Sequence, residues 1–207
     1  MSGGSRDHLL QTPSQTVGPF FHFALTETPF DHLDPDGHAG DAIVVVGTVR
    51  DGAGDPIDDA MVEVWQADGG GRYRHPADGR VGDVSGSFVG FGRVATAQES
   101  GEYRFVTVMP GTVPGRVGPG DGPGRDGTVQ APHLNVQVFA RGLLNHLHTR
   151  IYFAGAGAND ADPVLATVPA ERRATLLAEP DGHEDGRPRY RFDLVLQGEG
   201  ETVFFDA

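Results

Sequence analysis

The stretch APHLNVQVFAR, residues 131–141, decides the fold of this chain. If it is a β-strand, alternate side chains share one face of the sheet. One face is then apolar, as in a buried core, and its members are Leu134, Val136, Val138 and Ala140. The other face carries an imidazole, two amides, one aromatic ring and a guanidinium: His133, Asn135, Gln137, Phe139 and Arg141. We therefore expect a core strand whose second face is a metal site, the remnant of one, or an ordinary polar surface.

Outward from this strand, most of the chain predicts further strands. β-Branched and alternating segments indicate strands at 42–51, 60–68, within 93–111, at 146–155 and at 190–198. One helix is predicted over residues 168–179, with Pro169 in its first turn. Gly 31 and Pro 15 together exceed a fifth of the chain, and no short period organises them. The sequence therefore predicts an all-β fold, a β-sandwich with long loops at 69–93 and 112–130 and one or two short helices.

The predicted domain organisation has three parts. Residues 1–15 are expected to be a flexible N-terminal tail, and residues 42–207 a single β-sandwich domain. Between them, residues 16–41 are expected to form an extended arm and loop, because Gly18-Pro19 restricts the backbone and three phenylalanines follow. An apolar arm of this kind packs either on its own domain or on another subunit, and we expect residues 16–41 to pack on a partner subunit.

Composition and charge limit the possible partners. The 207-residue chain has a net charge of −13, and its 16 basic residues are all arginine. This charge disfavours binding to nucleic acid or to an anionic membrane, and any anion site must be built locally from arginine. With Cys 0, disulfides and thiolate metal sites are excluded. We find neither a signal peptide nor an apolar run of membrane-spanning length, so a cytoplasmic location is expected.

Few residues suggest chemistry by their spacing alone. Tyr73 lies in GRYRH, His133 begins the central strand, and His146 and His148 form His-Leu-His. Alternate histidines on one strand face suit a metal, although solvated or interface histidines are the alternative. Four acids in turn regions are expected to face solvent: Asp58, Asp59, Asp160 and Asp162. The sequence contains no nucleophile elbow, phosphate loop or HExxH motif.

Longer motifs carry a resemblance that covers nearly the whole chain from Thr12 onward. They are TPSQTVGPFFHFAL (12–25), GTVRDGAGDPIDDAMVEVWQAD (47–68), GGRYRH (70–75), the segments of 91–111, APHLNVQVFARGLLNHLHTRIYF (131–153) and RYRFDLVLQG (189–198). In these motifs the chain resembles the intradiol ring-cleavage dioxygenases. The resemblance implies a transthyretin-like β-sandwich, with α and β subunits of similar fold paired across a pseudo-twofold axis.

The resemblance also implies what happened to the metal site. Catalytic subunits of this family hold a non-haem Fe(III) with two tyrosines and two histidines, and phenolate oxygens suit that hard cation. Here Tyr73 and His133 match the first ligand of each kind, whereas Val113 and Asn135 stand at the other two positions. The chain is therefore expected to be an iron-free α subunit that binds no cofactor itself and is inactive alone. Its expected partner is a β subunit whose Fe(III) uses O₂ to convert protocatechuate to 3-carboxy-cis,cis-muconate.

The expected contribution of this chain is a wall of the partner's substrate pocket. The resemblance assigns Thr16, Gly18, Pro19 and Arg141 to that wall, with Arg150 as the alternative arginine. An arginine fits because the substrate carboxylate needs a local cation. The alternative interpretations are a salt bridge for Arg141 and a plain structural turn for the three arm residues.

Two other functions remain open from the sequence. One is a self-sufficient intradiol dioxygenase whose rearranged ligands include Tyr73, His133 and one of the nearby histidines. The other is a non-catalytic binding module that uses its long loops as the binding surface.

Overall fold

The computed structural model describes residues 16, 18–115 and 127–206. Within them, one α-helix, α1 (Pro19–Thr26), precedes eleven strands. The strands are β1 (Ala42–Arg50), β2 (Met61–Gln66), β3 (Phe91–Ala95), β4 (Glu102–Val108), β5 (Val113–Pro114), β6 (Val129–Gln130), β7 (His133–Phe139), β8 (Leu147–Phe153), β9 (Leu177–Glu184), β10 (Arg187–Arg191) and β11 (Leu194–Val195). The tail predicted for residues 1–15 lies outside the described residues.

Two sheet layers face each other across the core. One layer contains β3, β2, β7 and β8 in that order, and the other contains β4, β1, β10 and β9, with β11 beside the end of β1. Strand β9 joins the layers, because its first two residues pair in parallel with β8 and its remainder pairs antiparallel with β10. At the opposite edge, Phe30 bridges to Arg93 of β3 and His32 to Val106 of β4. The sheet therefore closes almost into a barrel, which confirms the predicted all-β sandwich.

The core lies between the inner faces of the two layers. Leu134, Val136 and Val138 of β7 are each 0% exposed, and Ala140 is 2% exposed. They pack with Phe105 and other residues of the facing layer in one apolar cluster. The alternation predicted for the central strand is confirmed, because burial of one face fixes the register of a strand.

The helix predicted over residues 168–179 is wrong in its last three residues. A 3₁₀ helix spans Ala170–Leu176, and β9 begins at the next residue because Leu177 and Ala178 pair with the last residues of β8. The chain then continues along β9 and closes a hairpin with β10 at Asp185-Gly186, both with positive φ. Pairing between distant strands has overridden the local pattern.

The other helical segments are short. The prediction was one or two short helices, whereas the described residues contain α1 and four 3₁₀ helices, at Val81–Asp83, Gly157–Ala161, Leu165–Thr167 and Ala170–Leu176. In this part of the chain, no helix has the length and apolar character needed to cross a membrane.

The arm differs from the extended conformation that was predicted. Gly18 is extended, with φ −99° and ψ 170°, but α1 starts immediately after it. Pro19 occupies the first helical position, where its fixed φ is favourable and its missing N–H costs no hydrogen bond. The arm then returns to the domain, because the backbone of Phe30 exchanges two hydrogen bonds with Arg93.

The strand predicted at 190–198 is divided into two strands in the structure. β10 ends at Arg191 and β11 starts at Leu194, and both pair in parallel with β1. The break is stabilised by Asp193, whose Oδ1 accepts the backbone N–H of Thr48 at 3.0 Å.

The loop predicted at 112–130 also contains structure, since Val113 and Pro114 pair with β6.

Candidate functional site

The four positions that match the family's metal ligands form one region, which we call the remnant site: Tyr73, Val113, His133 and Asn135. Asn135 of β7 pairs in register with Trp65 of β2, and its Nδ2 donates to the Trp65 carbonyl at 3.3 Å. The Tyr73 ring stacks on the Trp65 ring, with centroids 5.9 Å apart and planes 13° apart. The structure therefore brings the loop tyrosine to β2, the neighbour of the strand that carries His133 and Asn135.

A buried carboxylate holds the loop that contains the tyrosine. Asp68 is 0% exposed and accepts hydrogen bonds from the backbone N–H and the Nε of Arg72, each at 2.9 Å. Gly71 has a φ of +72°, and a Cβ there would lie 1.9 Å from the Thr112 carbonyl oxygen. Because only glycine permits this approach, the loop packs directly on the segment that leads to Val113.

His133 is a buried, neutral imidazole. It is 3% exposed, its Nδ1 lies 2.7 Å from the Ala131 carbonyl oxygen, and its ring centroid is 5.7 Å from that of Tyr152. Burial, and then the positive charge of Arg150, lower the pKa of His133 to about 4. Its neutral state at neutral pH is thus fixed by the fold.

The remnant site does not fit Fe(III). Val113 is 4% exposed and brings no donor atom, and the amide of Asn135 is directed to a backbone carbonyl. Tyr73 and His133 alone supply one phenol and one imidazole, which is too few donors and only one potential anion. Over residues 16, 18–115 and 127–206, no group of three or more His, Cys, Asp or Glu side chains is placed to hold a metal ion.

Arg150 lies in the remnant site. It pairs in register with Asn135 across β7 and β8, so both side chains are on the same face of the sheet. Its Nη1 donates to Gln130 Oε1 at 2.6 Å and to the Tyr152 hydroxyl at 3.3 Å. The alternative arginine of the sequence analysis is therefore committed to contacts within its own chain.

Asp162 was expected to face solvent, and this prediction is wrong. It is 0% exposed and accepts four hydrogen bonds. The donors are the N–H of Ala131 at 2.7 Å, the Tyr152 hydroxyl at 3.2 Å, and the N–H groups of Val164 and Leu165 at 2.8 Å each. Two of these hydrogen bonds could have been predicted, because an aspartate just before a short helix commonly accepts the backbone N–H groups that follow it. The contact with residue 131 had no local signal.

The two histidines of His-Leu-His each lie against an aromatic ring. His146 stacks on Phe139 with centroids 5.4 Å apart, and His148 lies 6.3 Å from the Phe205 ring. Burial lowers the pKa of His148. Both side chains therefore contribute to packing against aromatic residues.

Two of the predicted substrate-binding residues, Thr16 and Arg141, come together just beyond the far end of β7. The Thr16 hydroxyl accepts the N–H of Gly142 at 3.1 Å and donates to the Ala140 carbonyl at 3.5 Å, so it brackets Arg141. The Arg141 side chain is 82% exposed, and its Nε lies 3.0 Å from Asp59 Oδ2. The surface salt bridge foreseen as an alternative is thus present, and the guanidinium still faces outward.

We call Thr16, Gly18, Pro19 and Arg141 the arm cluster. Gly18 is extended beside Thr16, with no atom within 4 Å of a Cβ placed on it, and Pro19 begins α1. His133 and Phe139 lie six residues apart along β7, which corresponds to about 20 Å, and Arg141 lies in the turn just beyond the strand. The arm cluster and the remnant site therefore lie at opposite ends of this strand.

Comparisons with known proteins agree with this geometry. The sequence profile of the family described as Dioxygenase matches residues 17–198. The protocatechuate 3,4-dioxygenase alpha chain of Burkholderia cepacia is 46% identical, over 96% of this chain and 98% of that one. The beta chain of the same organism's enzyme is 33% identical, over 91% of this chain and 77% of that one. The solved catechol 1,2-dioxygenase of Acinetobacter superposes with a TM-score of 0.63 at 24% identity, covering 85% of this chain and 60% of that one, and supports the fold alone.

The chain therefore belongs to the intradiol dioxygenase family. Within that family its similarity to protocatechuate 3,4-dioxygenase alpha chains extends over nearly the full length of both proteins, as in the alpha chain of Pseudomonas putida at 40% identity.

Proposed function

We propose that this chain is the iron-free alpha chain of a heteromeric protocatechuate 3,4-dioxygenase. One observation carries the proposal: the remnant site lacks donors for Fe(III), while the arm cluster presents Arg141 outward at the opposite end of the same strand. A chain built in this way serves a metal held by another subunit. The proposed partner is a beta chain with Fe(III), which uses O₂ to open protocatechuate to 3-carboxy-cis,cis-muconate.

The arm cluster has the chemistry to hold the substrate carboxylate. A guanidinium forms paired, charge-assisted hydrogen bonds with a carboxylate, and the exposed side chain of Arg141 is free to turn toward one. Gly18 adds backbone that a ligand can approach closely, since it has no side chain. In an acidic chain of net charge −13, such a local cation is needed to attract an anionic substrate.

Co-expression with a beta chain tests the proposal. The two chains together are expected to co-purify and to cleave protocatechuate, whereas this chain alone should contain less than about 0.1 iron per chain and lack the red-brown tyrosinate-to-Fe(III) absorption. An isolated chain that retains stoichiometric iron and opens protocatechuate would establish the self-sufficient alternative instead. A chain that neither pairs with the beta chain nor alters its activity would support the binding-module alternative.

We also propose that the assembly is cytoplasmic. A sequence without cysteine fits a reducing compartment, although it does not require one. Fractionation of the producing cells, with an antibody against this chain, would test the location.

A further inference from the structure

We propose that Arg150 takes the place of the metal ion in the remnant site. Its guanidinium supplies the positive charge, cross-links the elements that a metal would otherwise join, and excludes a metal from the site. This inference concerns the chain by itself and does not depend on the function of the arm cluster.

Position is the first argument. Arg150 pairs with Asn135, and Tyr152 pairs with His133, so these two side chains of β8 face the two ligand positions of β7. Arg150 also reaches Gln130, which pairs with Val113 across β5 and β6. The guanidinium thus joins β8 to β6, and these two strands pair with the strands that carry three of the four former ligand positions.

The second argument is a hydrogen-bond chain that ends on a buried anion. Arg150 Nη1 donates to the Tyr152 hydroxyl at 3.3 Å, and that hydroxyl donates to Asp162 Oδ1 at 3.2 Å. Tyr152 and Asp162 are both 0% exposed. A buried carboxylate needs hydrogen bonds and a nearby positive charge, and Arg150 supplies that charge through the phenol.

Charge is the third argument. The guanidinium of Arg150 lies on the same face of the sheet as His133 and Asn135, since Arg150 pairs with Asn135 and Tyr152 with His133. Like charges repel each other strongly at short range in a partly buried site. The permanent charge of Arg150 therefore disfavours a metal ion at the same place.

The cross-linking role is tested by thermal unfolding of the full chain. Arg150→Met keeps the aliphatic bulk and removes the charge and the donors, and it is expected to lower Tm by about 5 °C. Arg189→Met is the matched control, because Arg189 is a half-exposed strand arginine with an ion pair to Asp181, remote from the remnant site. Its Tm should change by less than about 2 °C. An equal Tm loss in the two variants would overturn the cross-linking role.

The exclusion role is tested by Co²⁺ titration, followed by visible absorption, in variants that restore one histidine. Asn135→His alone should bind Co²⁺ at least about tenfold more weakly than Asn135→His combined with Arg150→Gln. Adding Arg150→Lys instead of Arg150→Gln retains the charge and should leave binding weak. Equal affinity in all three backgrounds, or no binding by the Arg150→Gln combination, would overturn the exclusion of metal by Arg150.

Discussion

At the scale of single residues, Arg141 and Arg150 show how surroundings determine the role of a side chain. Arg150 is partly buried and donates to Gln130 and Tyr152. Arg141 is 82% exposed and has one ion pair, with Asp59. Exposed ion pairs contribute less than about 1 kcal/mol, so a substrate carboxylate can displace Asp59 at little cost. The sequence left open which of the two arginines reaches the substrate. Their surroundings favour Arg141 as the proposed substrate-binding residue.

Removing Arg141 should weaken the use of a carboxylated substrate only. In the complex with a beta chain, Arg141→Ala is expected to lower kcat/KM for protocatechuate by about 5- to 150-fold, the equivalent of about 1–3 kcal/mol for a lost charge-assisted hydrogen bond. Turnover of catechol, which has no carboxylate, should change by less than about twofold. Arg189→Ala controls for the loss of one charge. Equal losses for both substrates would contradict the carboxylate role.

Gly18 should matter to the complex and not to the chain alone. Its φ of −99° suits any residue, and a Cβ would have no neighbour within 4 Å. We therefore expect Gly18→Ala to leave the Tm of the isolated chain within about 1 °C of wild type. If Gly18 faces a ligand in the partner's pocket, kcat/KM of the complex should fall. An unchanged complex would return Gly18 to the interpretation of a plain turn.

At the scale of elements, β7 was predictable from sequence and the chain after β8 was not. Strict alternation in residues 131–141 revealed the buried face, because period 2 is a local property. The start of β9 and the burial of Asp162 depend on pairing with β8 and on a hydrogen bond to Ala131, partners that lie far away in sequence. The helical pattern after Pro169 corresponds to one 3₁₀ helix, Ala170–Leu176. The position where this helix ends is set by strand pairing, which the local pattern does not contain.

The tyrosine loop offers a test of how one element is positioned. Gly71→Ala combines a φ of +72° with a Cβ 1.9 Å from the Thr112 carbonyl oxygen, so the loop must move. We expect a loss of more than about 2 kcal/mol in the free energy of unfolding, measured by urea denaturation. Gly79→Ala in the same loop is the control, since it has no neighbour within 4 Å, and it should change stability by less than about 1 kcal/mol. Equal effects would show that the contact with Thr112 does not position the loop.

At the scale of the whole molecule, the family resemblance predicted what composition did not. Glycine and proline content indicated an all-β chain, but the closure of two layers through β9 and the assembly of the remnant site follow from long-range register. The long motifs identified the four ligand positions, and the structure places them in one region. Only the structure shows that Arg150 lies beside these positions, because the spacing of a single arginine on a strand does not predict its neighbours on the next strand.

Net charge gives a whole-molecule prediction. At pH 7.5 a chain of net charge −13 repels itself, and salt screens that repulsion. We expect the Tm of the isolated chain to rise by about 2–4 °C between about 20 and 300 mM NaCl. Near pH 5, close to the sequence isoelectric point of about 4.9, the rise should largely disappear. The same rise at both pH values would show that net charge is not its cause.

The remnant site at one end of β7 and the arm cluster at the other have a consequence for how such a pair of genes evolves. This chain and the Burkholderia cepacia beta chain are 33% identical and descend from one ancestor. In the proposed complex one copy supplies the arm cluster and the other supplies the Fe(III), so each copy needs the other. For this chain to hold its own metal, these proposals require Val113→Tyr, Asn135→His and removal of the Arg150 charge, and no single one of these changes completes a metal site. We therefore expect the loss of self-sufficiency in such a pair to be difficult to reverse by single mutations.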